Sequence, residues 1–302
     1  MSFNISIIES YLPNKIIQYK SKKDPLIKVT GINKRFSVKE NQDSLYLANC
    51  CLKKLSKKKD LSRLDFLLLV TQTSPNYFPS LSNILQHNFK LKKDILAIDL
   101  NIGCSGYVYA LKFAESLFLT EEYKSGVILC VDTYTKYISK NNSSCYPIFS
   151  DAATATVLDK NKKKSKFNYA FGSDGSGSKY LYLNKNQKEM FMNGPNVALF
   201  TLKVIPKFIE NFLNKNLLKK NQVKYFLFHQ ASKFICENIQ KKLLIPKNKI
   251  YNNYNIYGNT ISSSIPLLLK DLLKKKKIKL NDKLILCGFG VGLSWGIAEI
   301  KL

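Results

Sequence analysis

Cys104 stands where chemistry is easiest to build. It lies in Asp99-Leu-Asn-Ile-Gly-Cys-Ser-Gly-Tyr107. The apolar run Ile95–Leu100 predicts a buried strand, and Tyr107–Leu119 has apolar residues at helical spacing. The small-residue turn Gly103-Cys104-Ser105-Gly106 joins them. A helix start offers unpaired N–H groups and the positive end of a dipole, which favour a thiolate. The flanking glycines leave room for a second molecule to reach the sulfur. The alternative is a small core cysteine beside a turn, so the rest of the chain has to decide.

Only two histidines are available, His87 and His229. His87 falls on a short helix, Leu81–Phe89, and reads as a surface or core-edge residue. His229 closes an apolar strand in Phe226-Leu-Phe-His-Gln-Ala-Ser232, the same kind of position as Cys104. A third stretch, Tyr257-Gly-Asn-Thr-Ile-Ser-Ser-Ser-Ile-Pro266, sets Asn259 among small residues that imply close backbone approach. The fourth, Gly288-Phe-Gly-Val-Gly-Leu-Ser-Trp-Gly296, has the wrong spacing for a dinucleotide fingerprint. A tight glycine turn can instead offer backbone N–H groups to an oxyanion.

The elements that must position these residues follow in order. Strands are predicted over Phe3–Ile8, Leu64–Val70, Ile95–Leu100, Val127–Val131, Tyr225–Phe228, Leu284–Cys287 and Ser294–Ile300, with Phe149–Leu158 a turn into a further strand. Helices are predicted over Ser44–Leu55, Tyr107–Leu119, Val197–Leu213, Ser232–Lys242 and Leu267–Leu273. Thr30–Arg35, Phe171–Lys179 and Gly288–Gly292 read as loops or turns, and Asp132–Cys145 as an irregular polar segment. The layout repeats: strand, Cys104 turn and helix are matched by Tyr225–Phe228, the His229 turn and a helix. This predicts duplicated α/β halves, residues 1–160 with the nucleophile and residues 161–302 with the histidine and the asparagine, parted at the lysine-rich Asn161–Lys166.

Composition narrows the classes. The chain has 302 residues, 45% apolar, enough for a substantial core. No apolar run reaches the length of a membrane span, and Met1–Ser10 lacks the pattern of a secretory signal. Seven cysteines with no C-x-x-C pair argue against structural zinc and a disulfide framework, and fit a reducing cytoplasm. The net charge of +27 comes almost wholly from dispersed lysine; Arg35 and Arg63 are the arginines. Nucleic-acid readers concentrate charge on one face and favour arginine, so a nucleic-acid role is disfavoured. A positive field still speeds encounter with an acidic protein.

Taken together, Gly103-Cys104-Ser105-Gly106, His229-Gln230-Ala231, Tyr257-Gly258-Asn259-Thr260 and Gly288–Gly296 resemble the four signatures of β-ketoacyl-acyl carrier protein synthase III. Thr30-Gly-Ile-x-x-Arg35, Tyr77-Phe-Pro-Ser80, Phe149-Ser-Asp151 and Asp174-Gly-Ser176 add weaker matches, and the resemblance spans nearly the whole chain. It implies the thiolase-like fold, two duplicated α/β halves in an αβαβα stack, and a homodimer. It further implies that an acyl group is carried on Cys104, its oxyanion held by the backbone N–H groups of Cys104 and Val291. Malonyl-acyl carrier protein then loses carbon dioxide while His229 and Asn259 donate hydrogen bonds to the thioester oxygen, and the carbanion takes the acyl group. No metal or cofactor is implied beyond the acyl-CoA or acyl carrier protein thioesters.

Two departures from the family pattern stand out. Val291 replaces a glycine in the oxyanion turn, which reshapes the pocket. Asp24-Pro-Leu-Ile-Lys-Val29 lacks the Trp and Arg with which well-known members grip the CoA adenine, favouring a donor delivered on a carrier protein. Lys233 lies one position before the family's docking arginine, where Phe234 stands. By family analogy Phe78 crosses the dimer to line the partner's acyl pocket; the alternative is an aromatic packed in its own core. Arg35 is expected in a structural ion pair. The runner-up chemistry is acyl transfer from Cys104 to an alcohol or amine without decarboxylation.

Overall fold

A computed structural model describes residues 2–19, 25–120, 122–161, 167–184 and 187–302. The Lys162–Lys166 part of the expected half boundary and Asp24 lie outside the described residues. In chain order the first half holds β1 (Ser2–Tyr11), β2 (Lys15–Gln18), α1 (Pro25–Thr30), β3 (Lys34–Ser37), α2 (Ser44–Leu55), β4 (Phe66–Val70), α3 (Leu81–Asn88), β5 (Leu96–Leu100), α4 (Gly106–Phe118), β6 (Ser125–Asp132) and β7 (Ala152–Asn161). The second holds β8 (Asn168–Ser173), β9 (Leu181–Tyr182), β10 (Phe191–Met192), α5 (Gly194–Lys215), β11 (Tyr225–Phe228), α6 (Lys233–Lys242), α7 (Tyr254–Tyr257), α8 (Ser264–Lys274), β12 (Lys283–Gly290) and β13 (Ser294–Lys301).

One sheet runs β1-β7-β6-β4-β5 and a second runs β11-β12-β13-β8. In each, a parallel set (β6, β4 and β5; β11 and β12) joins antiparallel strands. The strands are apolar on both faces, as they must be when helices cover both sides. Leu68, Val70, Ile128 and Cys130 on one sheet and Leu227, Leu284 and Leu286 on the other close over Val108 and Leu111 of α4 and Leu268 and Leu269 of α8. The alternate residues Leu67, Leu69, Val127 and Leu129 face α2 and α3. Phe226, Phe228, Ile285 and Cys287 face α5 and α6. The result is five layers, α2/α3, sheet, α4/α8, sheet, α5/α6, which is the αβαβα stack of the thiolase-like fold.

Local signals account for the helix starts. The Asp43 side chain accepts from the Tyr46 N–H at 2.9 Å to start α2, and Ser232 accepts from the Ile235 N–H at 3.3 Å to start α6. Elsewhere the turn and loop readings need correction. Pro25–Thr30 is a helix and Lys34–Ser37 a strand, so the loop expected over Thr30–Arg35 shortens to Gly31–Asn33. Phe171–Ser173 belongs to β8, and Gly288–Gly290 continues β12 rather than turning. Glycine there reflects a close neighbour, not a bend.

The halves also correspond differently from the order of their elements along the chain. Beside β12 and β13, β11 takes the place that β4 takes beside β6 and β7. Thus β11 is the counterpart of β4, not of β5. The fifth place in the second sheet holds a single bridge between Phe226 and Ile250, too short to show as a strand. The residue that follows it and precedes the central helix α8 is Asn259. Asn259, not His229, is therefore the counterpart of Cys104 before α4.

The pairing of α4 with α8 predicts where stability resides. Leu268 is fully buried, so Leu268→Ala should cost about 2–5 kcal/mol and lower the denaturant midpoint. An unchanged midpoint would show that the middle layer packs loosely.

Candidate active site

Cys104 is buried in the turn between β5 and α4, at 5% exposure. The turn is closed by Gly106 N–H donating to Gly103 O at 2.8 Å. β12 of the second sheet runs directly against it. A Cβ on Gly290 would stand 2.8 Å from the Cys104 Sγ, and one on Gly288 2.7 Å from the Cys104 carbonyl oxygen and the Ser105 Cα. Side chains at these two positions would displace the sulfur or the strand. Ser105 and Ser294 hydroxyls, 2.8 Å apart, fasten the same junction.

His229 ends β11, its N–H donating to Cys287 O at 2.9 Å. Its ring meets Phe289 edge-on, centroids 5.6 Å apart. Nδ1 is buried without a hydrogen-bond partner among the described residues. Burial pushes the imidazole down to about 3, against a smaller upward pull from the Ile261 backbone, so the ring is neutral at physiological pH.

Asn259 is held at both ends of its backbone: its N–H donates to Ile148 O at 3.1 Å, and its carbonyl accepts from Ser150 N–H at 2.8 Å. Its side-chain Oδ1 accepts from Ile261 N–H at 3.1 Å, committing the acceptor end and leaving Nδ2 as a donor. Ile261 itself has φ +49°, rare for a buried β-branched residue. The strain is held where one backbone unit touches both Asn259 and His229.

Cys104, His229 and Asn259 line one cavity of about 210 Å³. Its other walls are mostly apolar, with Phe149, Phe289 and Phe234 among them. Burial pushes the Cys104 thiol up to about 12, and the nearby Asp132 charge adds to this. The backbone N–H groups of Val291 and Cys104 work the other way, so both amides lie close to the sulfur. That is the pair the sequence assigns to an oxyanion, although Val291 itself borders a neighbouring cavity.

Two other expected residues lie apart from this cavity. Lys233, half-buried at the start of α6, borders a separate cleft with Lys28, Asn252 and Tyr254, while its neighbour Phe234 reaches the Cys104 cavity. Phe78 is 86% exposed, which rules out packing in its own core. Arg35 needs a correction. Among the described residues it makes no ion pair; it donates to Phe149 O at 2.9 Å and stacks over Tyr146 at 4.3 Å.

The sequence reading passed over Asp132. This fully buried carboxylate accepts from Gln72 N–H at 2.9 Å, Ser262 N–H at 3.2 Å and Ser262 Oγ–H at 2.5 Å. It ties the ends of β4 and β6 to the Asn259 loop, and burial pushes it up to about 7. The signal was present: a polar residue closing the apolar run Val127–Val131, as His229 closes β11.

A thiolase-like stack on which a buried cysteine, a neutral imidazole and a carboxamide meet in one cavity belongs with the thiolase-fold condensing enzymes. Comparison with known proteins agrees. Models of 3-oxoacyl-[acyl-carrier-protein] synthase III match residues 98–175, and of its C-terminal part residues 213–302. The chain is 32% identical to the β-ketoacyl-[acyl-carrier-protein] synthase III of Staphylococcus haemolyticus, over 100% of this chain and 99% of that one. It is 32% identical to that of Clostridium perfringens, over 90% and 89%. The crystal structure of a 3-oxoacyl-(acyl-carrier protein) synthase from Burkholderia xenovorans superposes with TM-score 0.93 at 28% identity, over 100% of this chain and 94% of that one. The chain belongs to the 3-oxoacyl-[acyl-carrier-protein] synthase III family. No helix among its described residues is long and apolar enough to cross a membrane.

The environment of Cys104 sets its reactivity. With the thiol at about 12, alkylation of Cys104 by iodoacetamide should rise about tenfold per pH unit from about pH 7 to about pH 10, because only the thiolate reacts. Mass-resolved labelling measures this. A plateau near pH 8 would mean that the amides already outweigh burial.

Proposed function

We propose that this protein joins an acyl group to malonyl-acyl carrier protein by decarboxylative condensation, giving a β-ketoacyl thioester. The observation that carries this reading is the meeting of Cys104, His229 and Asn259, from three distant stretches, in one mostly apolar cavity. In the first half-reaction Cys104 Sγ attacks the donor's thioester carbonyl. The N–H groups of Cys104 and Val291 stabilise the tetrahedral oxyanion. The donor's C–S bond breaks, and the departing thiolate takes the proton that Cys104 gives up.

In the second half-reaction the malonyl thioester enters. His229, neutral, and the Nδ2 of Asn259 donate to its carbonyl oxygen. The bond to the malonyl carboxylate breaks, releasing carbon dioxide and leaving an enolate held by those two donors. Its carbon attacks the acyl group, and Cys104 leaves as a thiolate that regains a proton. A charged imidazole would be worse placed here, since its proton would be lost to the enolate. An apolar cavity serves the carboxylate's departure, because it solvates the carboxylate poorly while the charge passes to the enolate oxygen, where the two donors hold it.

The Pro25–Thr30 helix, whose Val29 and Thr30 border the cavity, carries neither Trp nor Arg. This favours an acyl donor delivered on a carrier protein. The net charge of +27, with Lys28 and Lys233 beside the neighbouring cleft, suits an acidic partner. Phe78, bare on an exposed loop, suits a second copy of the chain across a homodimer. The seven free cysteines fit a reducing, cytoplasmic setting.

Intact-mass analysis with acyl-CoAs and acyl carrier proteins, coupled to carbon dioxide release, tests this reading. Cys104→Ala should form no adduct. Asn259→Ala should be acylated normally but release carbon dioxide about 10²–10³-fold more slowly. Acyl transfer to an alcohol or amine with no carbon dioxide would instead identify a simple acyltransferase. Phe78→Asp should shift the sedimentation profile toward monomer; an unchanged dimer would place the interface elsewhere.

A further inference from the structure

A second cavity, about 320 Å³, opens on the Val291 side of the Cys104 turn. Leu181 borders both cavities. Gln72, Asn101, Tyr134, Tyr137 and Ser178 are in the wall of the second, so it is far more polar than the one holding His229 and Asn259. Gln72 lies against the nucleophile's turn: its Oε1 is 2.3 Å from where a Cβ on Gly103 would stand. Tyr134, packed in one cluster with Cys104, donates its hydroxyl to that same Oε1 at 2.7 Å. The acceptor end of the Gln72 amide is thereby occupied. Its Nε2 hydrogens remain as donors.

We infer that this second cavity receives the tail of the acyl group carried on Cys104 and selects a short tail bearing an oxygen acceptor, a hydroxyl or oxo group, over the bare hydrocarbon. The inference rests on the acyl-enzyme chemistry proposed above and names its donor. Cys104 lines the first cavity with His229 and Asn259, and the amide of Val291, which borders the second, lies close to its sulfur. An acyl group on the sulfur, its carbonyl held by the Cys104 and Val291 amides, has the Val291 side open to its tail. A hydrocarbon placed there would strip water from Gln72 and Asn101 and return no hydrogen bond. An oxygen on the tail restores one. Sites built this way reject the analogue that lacks the polar group more strongly than apolar pockets reject an added one.

The test follows acylation of Cys104 by intact mass, with butanoyl, 3-hydroxybutanoyl and 4-hydroxybutanoyl thioesters, each on CoA and on acyl carrier protein. At least one hydroxyacyl donor should acylate the wild-type enzyme about tenfold faster than butanoyl. Gln72→Leu should erase the preference by speeding butanoyl and slowing the hydroxyacyl donors. Tyr134→Phe should reduce it, and carries the test should the Leu variant not fold. Butanoyl reacting as fast as both hydroxyacyl donors in the wild type, or a preference that survives in a folded Gln72→Leu enzyme, overturns the inference. Adducts formed without preference sink this inference alone. No adduct from any donor sinks the proposed acyl-enzyme with it.

Discussion

Two glycines in one strand set the terms for this molecule. Gly288 and Gly290 let β12 of the second sheet lie against the Cys104 turn of the first half, closer than any side chain permits. This contact brings the amides of the Val291 turn to the sulfur. It also brings β11, parallel to β12, and therefore His229 into the same cavity. The site is assembled by sheet-to-turn packing, with the Asn259 loop held by its own backbone bonds to Ile148 and Ser150.

Asp132 supplies a second constraint, electrostatic rather than steric. It gathers the ends of β4 and β6 and the loop after Asn259 around one buried carboxylate. The same charge lies near enough to Cys104 to oppose its ionisation. Burial, with the Asp132 charge adding to it at the sulfur, keeps Cys104 protonated, and burial keeps the His229 imidazole neutral.

Much of this was legible in the residues. Cys104 and Asn259 stand among small neighbours and His229 closes an apolar run, but it is the resemblance carried by four signatures together that joins the three into one site. The helices with strong side-chain caps, α2 and α6, begin where Asp43 and Ser232 place them. What could not be read was set by distance in the fold. The glycines of β12 read as a turn because their reason, the Cys104 backbone, lies more than 180 residues earlier in the chain. The halves were matched one strand out because the fifth strand of the second sheet has shrunk to a bridge at Ile250. Arg35 promised an ion pair by its type, whereas a tyrosine ring and a carbonyl hold it.

The left-handed backbone at Ile261 has a consequence for how this chain can change. A β-branched residue there is disfavoured by its own torsions, and glycine would relieve that strain, about 1–3 kcal/mol, only by giving up a fully buried side chain worth about 2–5 kcal/mol. Yet the isoleucine also fills space between the two halves, and its amide aims the asparagine. Backbone ease and core packing therefore pull on this position in opposite directions. The packing term is the larger, so a chain made more stable would keep its strained isoleucine at residue 261.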